Sequence, residues 1–352
     1  MNRRSFLSLA GASLAAQQAS PRAEQKTILV LDRESVSSSE GVTFHISPAR
    51  KHPGNPILIP GEPHEWDSLQ VTWPGTVLYN ADERMFRCWY NGMDAVQKNR
   101  GRNWLPGYAE SSDGVHWTKR ELGQYRHNDQ PTNRILPDWP TADLLSLVME
   151  NPDRRDPQRR FLSLWYEGAI NGKGLAYSPD GKIWKREQDA YRAKTRERIA
   201  LHDICQILHC PEAKDPEFRY IGYTQLLWKR TWDGKVVRHI GLVHGPGPGS
   251  LRDADDPIVL APEQALDEEL HFASVRRAGD HFLMLYESDR FSRKPLHGDL
   301  RLAVSADGRK FRRVFPNEPF LSTGIKGMWD ENLLVTTTSA MQEVGDEIRI
   351  YY

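Results

Sequence analysis

Acidic residues recur where the strand-like phrases of this chain begin. Asp67 stands in Glu65-Trp66-Asp67-Ser68, Asp203 in His202-Asp203-Ile204, Glu268 and Glu269 in Asp267-Glu268-Glu269-Leu270-His271, and Asp330 in Trp329-Asp330-Glu331. Trp66, Trp73, His202, His271 and Trp329 lie beside them. Carboxyl groups that converge next to aromatic faces suit a sugar. One with a raised pKa protonates a glycosidic oxygen while an ionised partner activates water or attacks the anomeric carbon. Indole faces pack on the C–H side of the ring. The candidates for these two roles are Asp67, Asp203, Glu268 and Glu269. Trp66, Trp73, His202, His271, Trp329 and Asp330 are expected to line the substrate. A metal centre is the competing use of clustered acids and histidines, but no spacing here is diagnostic of one, so neither metal nor cofactor is expected.

The elements that must position these groups form a repeat. Its most recognisable phrase is an aromatic strand, as in Met85-Phe86-Arg87-Cys88-Trp89-Tyr90, Phe161 to Tyr166, Phe218 to Tyr223, His281 to Tyr286 and Glu347 to Tyr352. Behind four of these follows a second apolar strand. In three units that strand runs into Ser-x-Asp-Gly and then an aromatic: Ser111 to Trp117, Ser178 to Trp184 and Ser305 to Phe311. Asp-Gly between β-patterned runs predicts a tight primed hairpin turn, with Gly at positive φ. Another apolar stretch precedes each aromatic strand, for example Leu144 to Glu150 and Leu270 to Val275. Four strands per unit at a spacing of roughly sixty residues describe propeller blades. In such a ring the starts of the innermost strands converge on the axis, which is where the acids stand.

The expected fold is therefore all-β, a five-bladed β-propeller of four-stranded antiparallel blades. The third unit replaces its Asp-Gly turn with the loop Gly245 to Ser250, and the fifth stops at Tyr352 after two recognisable strands. The fifth blade is thus expected to be incomplete and the sequence to be a truncated reading of a longer protein. Lys26 to Leu31 is a candidate closing strand.

Composition narrows the partners. The 352 residues carry 47 Lys+Arg against 47 Asp+Glu, so no basic field exists to draw nucleic acid or anionic lipid. Residues 1–25 hold the paired Arg3-Arg4 before Ser-Phe-Leu, a short weakly apolar run and small residues, the pattern of a twin-arginine export signal. That run is too short to span a bilayer. A propeller over 26–352 in the periplasm or outside the cell is the expected mature protein. Cys88 reads as a buried small hydrophobe; the three cysteines make no even disulfide set, and a bridge between Cys205 and Cys210 stands as an alternative to free thiols.

Taken together, Asn55-Pro56-Ile57-Leu58 leading to Glu65-Trp66-Asp67, the Trp89-Tyr90 and Trp165-Tyr166 strands, the Ser-x-Asp-Gly turns and the closing Gly345 to Tyr352 resemble the five-bladed glycosidase-like proteins related to glycoside hydrolase families 32 and 43. The resemblance implies an Asp on the first blade, an Asp two blades on and a Glu acid on the next, an order that Asp67, Asp203 and Glu268 follow, with Asp67 or Asp203 then expected as base or nucleophile and Glu268 or Glu269 as general acid. The Asn-Asp-Pro-Asn and Arg-Asp-Pro motifs of family 32 are absent at the matching places. The implied activity is hydrolysis of glycosidic bonds in an oligo- or polysaccharide. Two alternatives stand beside it: a carbohydrate-binding propeller without chemistry, and a mannoside phosphorylase-like enzyme, which would need basic side chains at the axis.

Overall fold

The computed structural model describes residues 31–95, 104–135, 142–167, 172–192, 204–290 and 296–352. The candidate export signal and most of the 26–31 candidate strand lie outside them. The chain builds antiparallel sheets one after another. The first contains β1 (Gln70–Asn80), β2 (Met85–Met93) and β3 (Leu105–Ser111), followed by a minimal hairpin of β4 (Arg126–His127) and β5 (Gln130–Pro131). Next comes the second sheet, β6 (Ala142–Glu150), β7 (Phe161–Glu167), β8 (Gly172–Ser178) and β9 (Lys185–Arg192). The third is β10 (Ile204–His209), β11 (Tyr220–Lys229), β12 (Val236–Gly245) and β13 (Arg252–Leu260). The fourth is β14 (Glu269–Ala278), β15 (His281–Arg290), β16 (His297–Ser305) and β17 (Arg312–Val314). A two-stranded sheet of β18 (Met341–Val344) and β19 (Glu347–Ile350) ends the chain.

The propeller expectation holds, with four blades and a reduced fifth sheet. Blade 1 has three full strands; its fourth is reduced to Thr118, which exchanges both main-chain hydrogen bonds with Glu110. Pro74 lies inside β1 because the register shifts between Thr72 and Thr76, and a bulge tolerates a residue that cannot donate to the ladder.

Five apolar clusters, each shared by neighbouring sheets, make up the core among the described residues. Trp89 and Tyr108 of blade 1 meet Phe161 and Trp184 of blade 2, Leu162 and Leu175 meet Ile207 and Val243 of blade 3, and Ile240 meets Phe272 and Met284 of blade 4. Leu285 and Leu302 pack on Leu334 and Met341, and Tyr351 returns to Phe86 and Cys88 of blade 1. Blade strands are thus buried on both faces, which is why the aromatic phrases read as nearly continuous apolar runs.

Near the axis the ring closes through polar groups. Thr338 N–H donates to Gly75 O at 2.9 Å, and Val148 N–H to Thr76 Oγ1 at 3.0 Å. Gln206 Oε1 accepts from Ser274 Oγ, Val275 N–H and Ser339 N–H at 3.0, 3.1 and 3.0 Å. Residues 333–340 therefore occupy the inner position between blade 4 and blade 1. The segment before β1 runs along the outside of this junction, with Asp32 paired to Arg312 and Ala49 N–H donating to Phe320 O.

The Ser-x-Asp-Gly phrases differ from the tight primed turn that Asp-Gly predicts. Each is a wider loop of six residues, 112–117, 179–184 or 306–311. The Ser hydroxyl caps the Gly amide at 2.8 to 2.9 Å, and the Asp carboxylate caps the next two amides. Gly does take positive φ, at 76°, 77° and 73° for Gly114, Gly181 and Gly308. The Gly carbonyl then faces the preceding sheet, whose aromatic donates to it: Trp89 Nε1 to Gly181 at 2.7 Å, Tyr223 Oη to Gly308 at 2.9 Å and Tyr351 Oη to Gly114 at 3.1 Å. One motif thus both turns the chain and latches neighbouring blades.

These loops carry a pH signature. The His116 side chain and amide hold Asp113 below the usual carboxylate range. At Asp180 and Asp307 burial opposes ionisation, but the two capped amides and the Ser hydroxyl outweigh it and lower both. Folded pKa values below the unfolded value of about 4 mean that the unfolded chain binds more protons in that range. Stability from these loops is complete above about pH 4 and is lost as pH falls through the folded values. Urea titrations between pH 5 and 2 should show this acid-side loss. Asp180→Asn with Asp307→Asn, which keeps an acceptor but cannot titrate, should flatten it; an unchanged slope would refute the assignment.

The alternative of a bridge to Cys210 is not realised. Cys210 is free and buried, as is Cys88, whose thiol burial pushes up to about 12.

Candidate active site at the mouth between blades 3 and 4

Inner strands β1, β10 and β14 all begin at one end of the ring, where the hairpins joining second to third strands also turn. At this mouth β14 follows the turn Glu263 to Asp267, and the β11–β12 hairpin of blade 3 reaches its first residues. Arg230, at the end of β11, donates from Nη1 to Glu268 O at 3.1 Å, is held by Asp233, and lies 4.6 Å from the ring centre of Trp232. Arg238 on β12 donates from its main-chain N–H and from Nη1 to Glu269 Oε2, at 3.1 and 3.0 Å. Glu268 N–H donates to Asp289 O at 2.8 Å, so the main chain under Glu268 is fixed on both sides. The site offers one ion-paired carboxylate, a second on a rigid main chain, two guanidinium groups and an indole.

Beneath it lie His271 on β14 with Glu287 and Asp289 on β15. Burial drives the imidazole down to about 3, with Arg238 adding to the effect, so His271 is neutral. Burial likewise pushes Asp289 up to about 8 and Glu287 well above its ordinary value, each raised further by a neighbouring carboxyl group. His239, on β12, is held neutral by burial and keeps its ring on Val237 O at 3.1 Å.

The sequence candidates divide. Glu268, Glu269 and His271 come together here. Asp67 is buried elsewhere on the ring, where it accepts from Lys119 Nζ at 2.7 Å and Tyr90 Oη at 2.8 Å. Asp330 is paired with Lys51 at 2.5 Å, and Asp267 with Arg313 at 3.0 Å. The acid that repeats ahead of the inner strands is thus bound by a cation in three of the units, and in blade 4 that acid is Asp267. Trp66 is buried with Nε1 on Asn133 Oδ1 at 2.7 Å, so it presents no face to a ligand. Trp329 exposes half its surface and stacks on Tyr352 at 5.8 Å. Trp73 lies within β1, while His202 and Asp203 lie outside the described residues.

Arg230, Arg238, Trp232, Glu287 and Asp289 were not singled out from sequence. The signal for the last two was present in Glu287-Ser288-Asp289-Arg290, four polar residues ending a strand whose preceding members Phe282 to Tyr286 are mostly apolar.

No protein-family profile matches the chain, and no curated protein matches it. Solved structures do. A protein of the GH130 family of mannoside phosphorylases, which contains glycoside hydrolases that target β-1,2 mannosidic linkages in Candida mannan, aligns with a TM-score of 0.56 at 17% identity, over 87% of this chain and 90% of that one. A putative glycosidase from Bacteroides thetaiotaomicron aligns with a TM-score of 0.55 at 14% identity, over 82% and 88%. An N-acetylgalactosamine deacetylase from F. plautii aligns with a TM-score of 0.52 at 15% identity, over 83% and 80%. At such identities the likeness speaks for architecture, and one architecture hosts several chemistries. The chain has the fold of the glycosidase-like β-propellers.

Proposed function

We propose that this protein is an exported enzyme that cleaves glycosidic bonds of a carbohydrate at the mouth between blades 3 and 4. The observation that carries the reading is the convergence of Glu268 and Glu269 with Arg230, Arg238 and Trp232, on a fold whose solved relatives include glycosidases. Glu268 is assigned as general acid. Glu269, already in an ion pair with Arg238, orients substrate rather than donating a proton. Asp203, one residue ahead of β10 on the neighbouring blade, is the base or nucleophile. Asp67 is not used, because Lys119 and Tyr90 occupy its carboxylate. Export rests on residues 1–25; among the described residues no helix is long and apolar enough to cross a membrane.

Phosphorolysis is the second reading, favoured by the likeness to a protein of a family of mannoside phosphorylases; it would require Arg230 and Arg238 to exchange Asp233 and Glu269 for the phosphate. A panel of oligosaccharides and aryl glycosides, assayed with and without inorganic phosphate, tests both. Hydrolysis independent of phosphate supports the first reading, and turnover that requires phosphate replaces it with the second. Glycan binding by calorimetry without turnover of any substrate would sink both and leave a binding module.

A further inference from the structure

His271, Glu287 and Asp289 form a compact three-residue cluster under the mouth. One ligand atom from each lies within 4.8 Å of the others. His271 Nδ1 is 3.9 Å from Glu287 Oε1 and 3.8 Å from Asp289 Oδ2. Both carboxyl groups are fully buried, and no donor reaches any of their four oxygens with normal hydrogen-bond geometry; the two carboxyls act on each other, and the Phe272 amide acts on Glu287. Arg238 acts on all three groups through space, but its guanidinium is bound to Glu269. Room for the cluster is built into the backbone, since a Cβ on Gly298 would stand 2.2 Å from Asp289 Oδ1.

Buried carboxylates without donors are costly as anions, and a cation turns that cost into ligation. We propose that His271, Glu287 and Asp289 bind one divalent transition-metal cation. An imidazole with two carboxylates suits Zn²⁺ or Mn²⁺, whereas Ca²⁺ and Mg²⁺ take oxygen ligands. Ligand atoms held at about 2.0–2.2 Å from a tetrahedral ion are roughly 3.3–3.6 Å apart, so the two His271 separations of 3.9 and 3.8 Å close with small shifts, and the cluster as a whole, within 4.8 Å, closes with side-chain movement of about 1 Å. His271 retains 20% side-chain exposure, so the cluster is not sealed from solvent. The ligands come from β14 and from alternate positions of β15, so two adjacent strands of one blade preorganise the site.

The test uses the full chain, stripped with chelator, and ZnCl₂ or MnCl₂ alone as the probe. Calorimetry and elemental analysis should find one equivalent bound per chain, with a rise in melting temperature, while CaCl₂ and MgCl₂ should give neither. Loss of an outer partner alone commonly weakens a metal site 10- to 100-fold, so Asp289→Asn and Glu287→Gln should each weaken binding at least about 100-fold. Both variants keep the shape of the group they replace, and circular dichroism verifies their fold; His271→Gln provides a third ligand loss should either misfold. Binding of no metal at millimolar concentration would overturn the proposal, and so would binding that all three variants leave unchanged. No sugar enters these measurements, so they stand or fall separately from the glycoside reading.

Discussion

Glu268→Gln is expected to lower turnover of natural glycosides by about 10²- to 10⁴-fold, the usual loss on removing a positioned acid–base group. The amide keeps the shape of the side chain but has no proton to transfer. Main-chain bonds from Arg230 to Glu268 O and from Glu268 N–H to Asp289 O do not involve the carboxyl and are kept in the variant, whose fold circular dichroism verifies. Aryl glycosides with good leaving groups need little protonation and should lose far less. Asp203→Asn should impair both substrate types, as befits a base or nucleophile. Glu269→Gln should act mainly on KM, because it weakens the Arg238 pair that orients substrate. Steady-state kinetics on a natural and an activated substrate read all three. Equal losses on both substrates for Glu268→Gln would remove Glu268 from the acid role.

The largest effect on stability is expected at the Arg313–Asp267 pair. Arg313 leaves β17, the outermost strand of blade 4, and reaches the turn ahead of β14, the innermost. Its Nη2 donates to Asp267 Oδ2 at 3.0 Å and to Ala261 O at 2.7 Å, with side-chain exposures of 7% for Arg313 and 0% for Asp267. Burial lifts the Asp267 pKa even with the arginine present. Arg313→Met keeps apolar bulk but strands a buried carboxyl, which typically costs about 3–5 kcal/mol. Urea or thermal unfolding of the purified chain measures it. Adding Asp267→Leu should recover much of the loss, since it is the orphaned charge that is costly. A single variant within about 1 kcal/mol of wild type would show that the packing of β17 carries the clamp instead.

The architecture was legible because blade formation is a local matter. Aromatic strands of the Trp89 and Tyr286 kind, Asp-Gly signals and a repeat near sixty residues each reflect neighbours along the chain, and together they suffice for a propeller. Even so, the local signal misjudged the turn itself. Asp-Gly reports only the positive φ; Ser111, Ser178 and Ser305, three residues ahead of each Gly, widen the turn by capping its amide. That widening aims the Gly carbonyl at an aromatic of another blade, a contact between residues as far apart as Trp89 and Gly181.

The site was half legible for a related reason. Acids ahead of inner strands are visible in the sequence, but whether such an acid is a clamp or a reagent depends on which cation reaches it. Lys119, Lys51 and Arg313 reach Asp67, Asp330 and Asp267 from positions that only the folded ring brings close. Arg230 and Arg238 come to Glu268 and Glu269 from the neighbouring blade in the same way. The sequence by itself determined the repeat, the strand pattern and the place of the acids, because these follow from periodicity along one chain. Tertiary structure alone decided the ion pairs, the closure of the ring at Gln206 and Thr338, and the meeting of His271 with Glu287 and Asp289. Electrostatic partnership depends on distance in space, and in a ring of sheets residues far apart in sequence become neighbours.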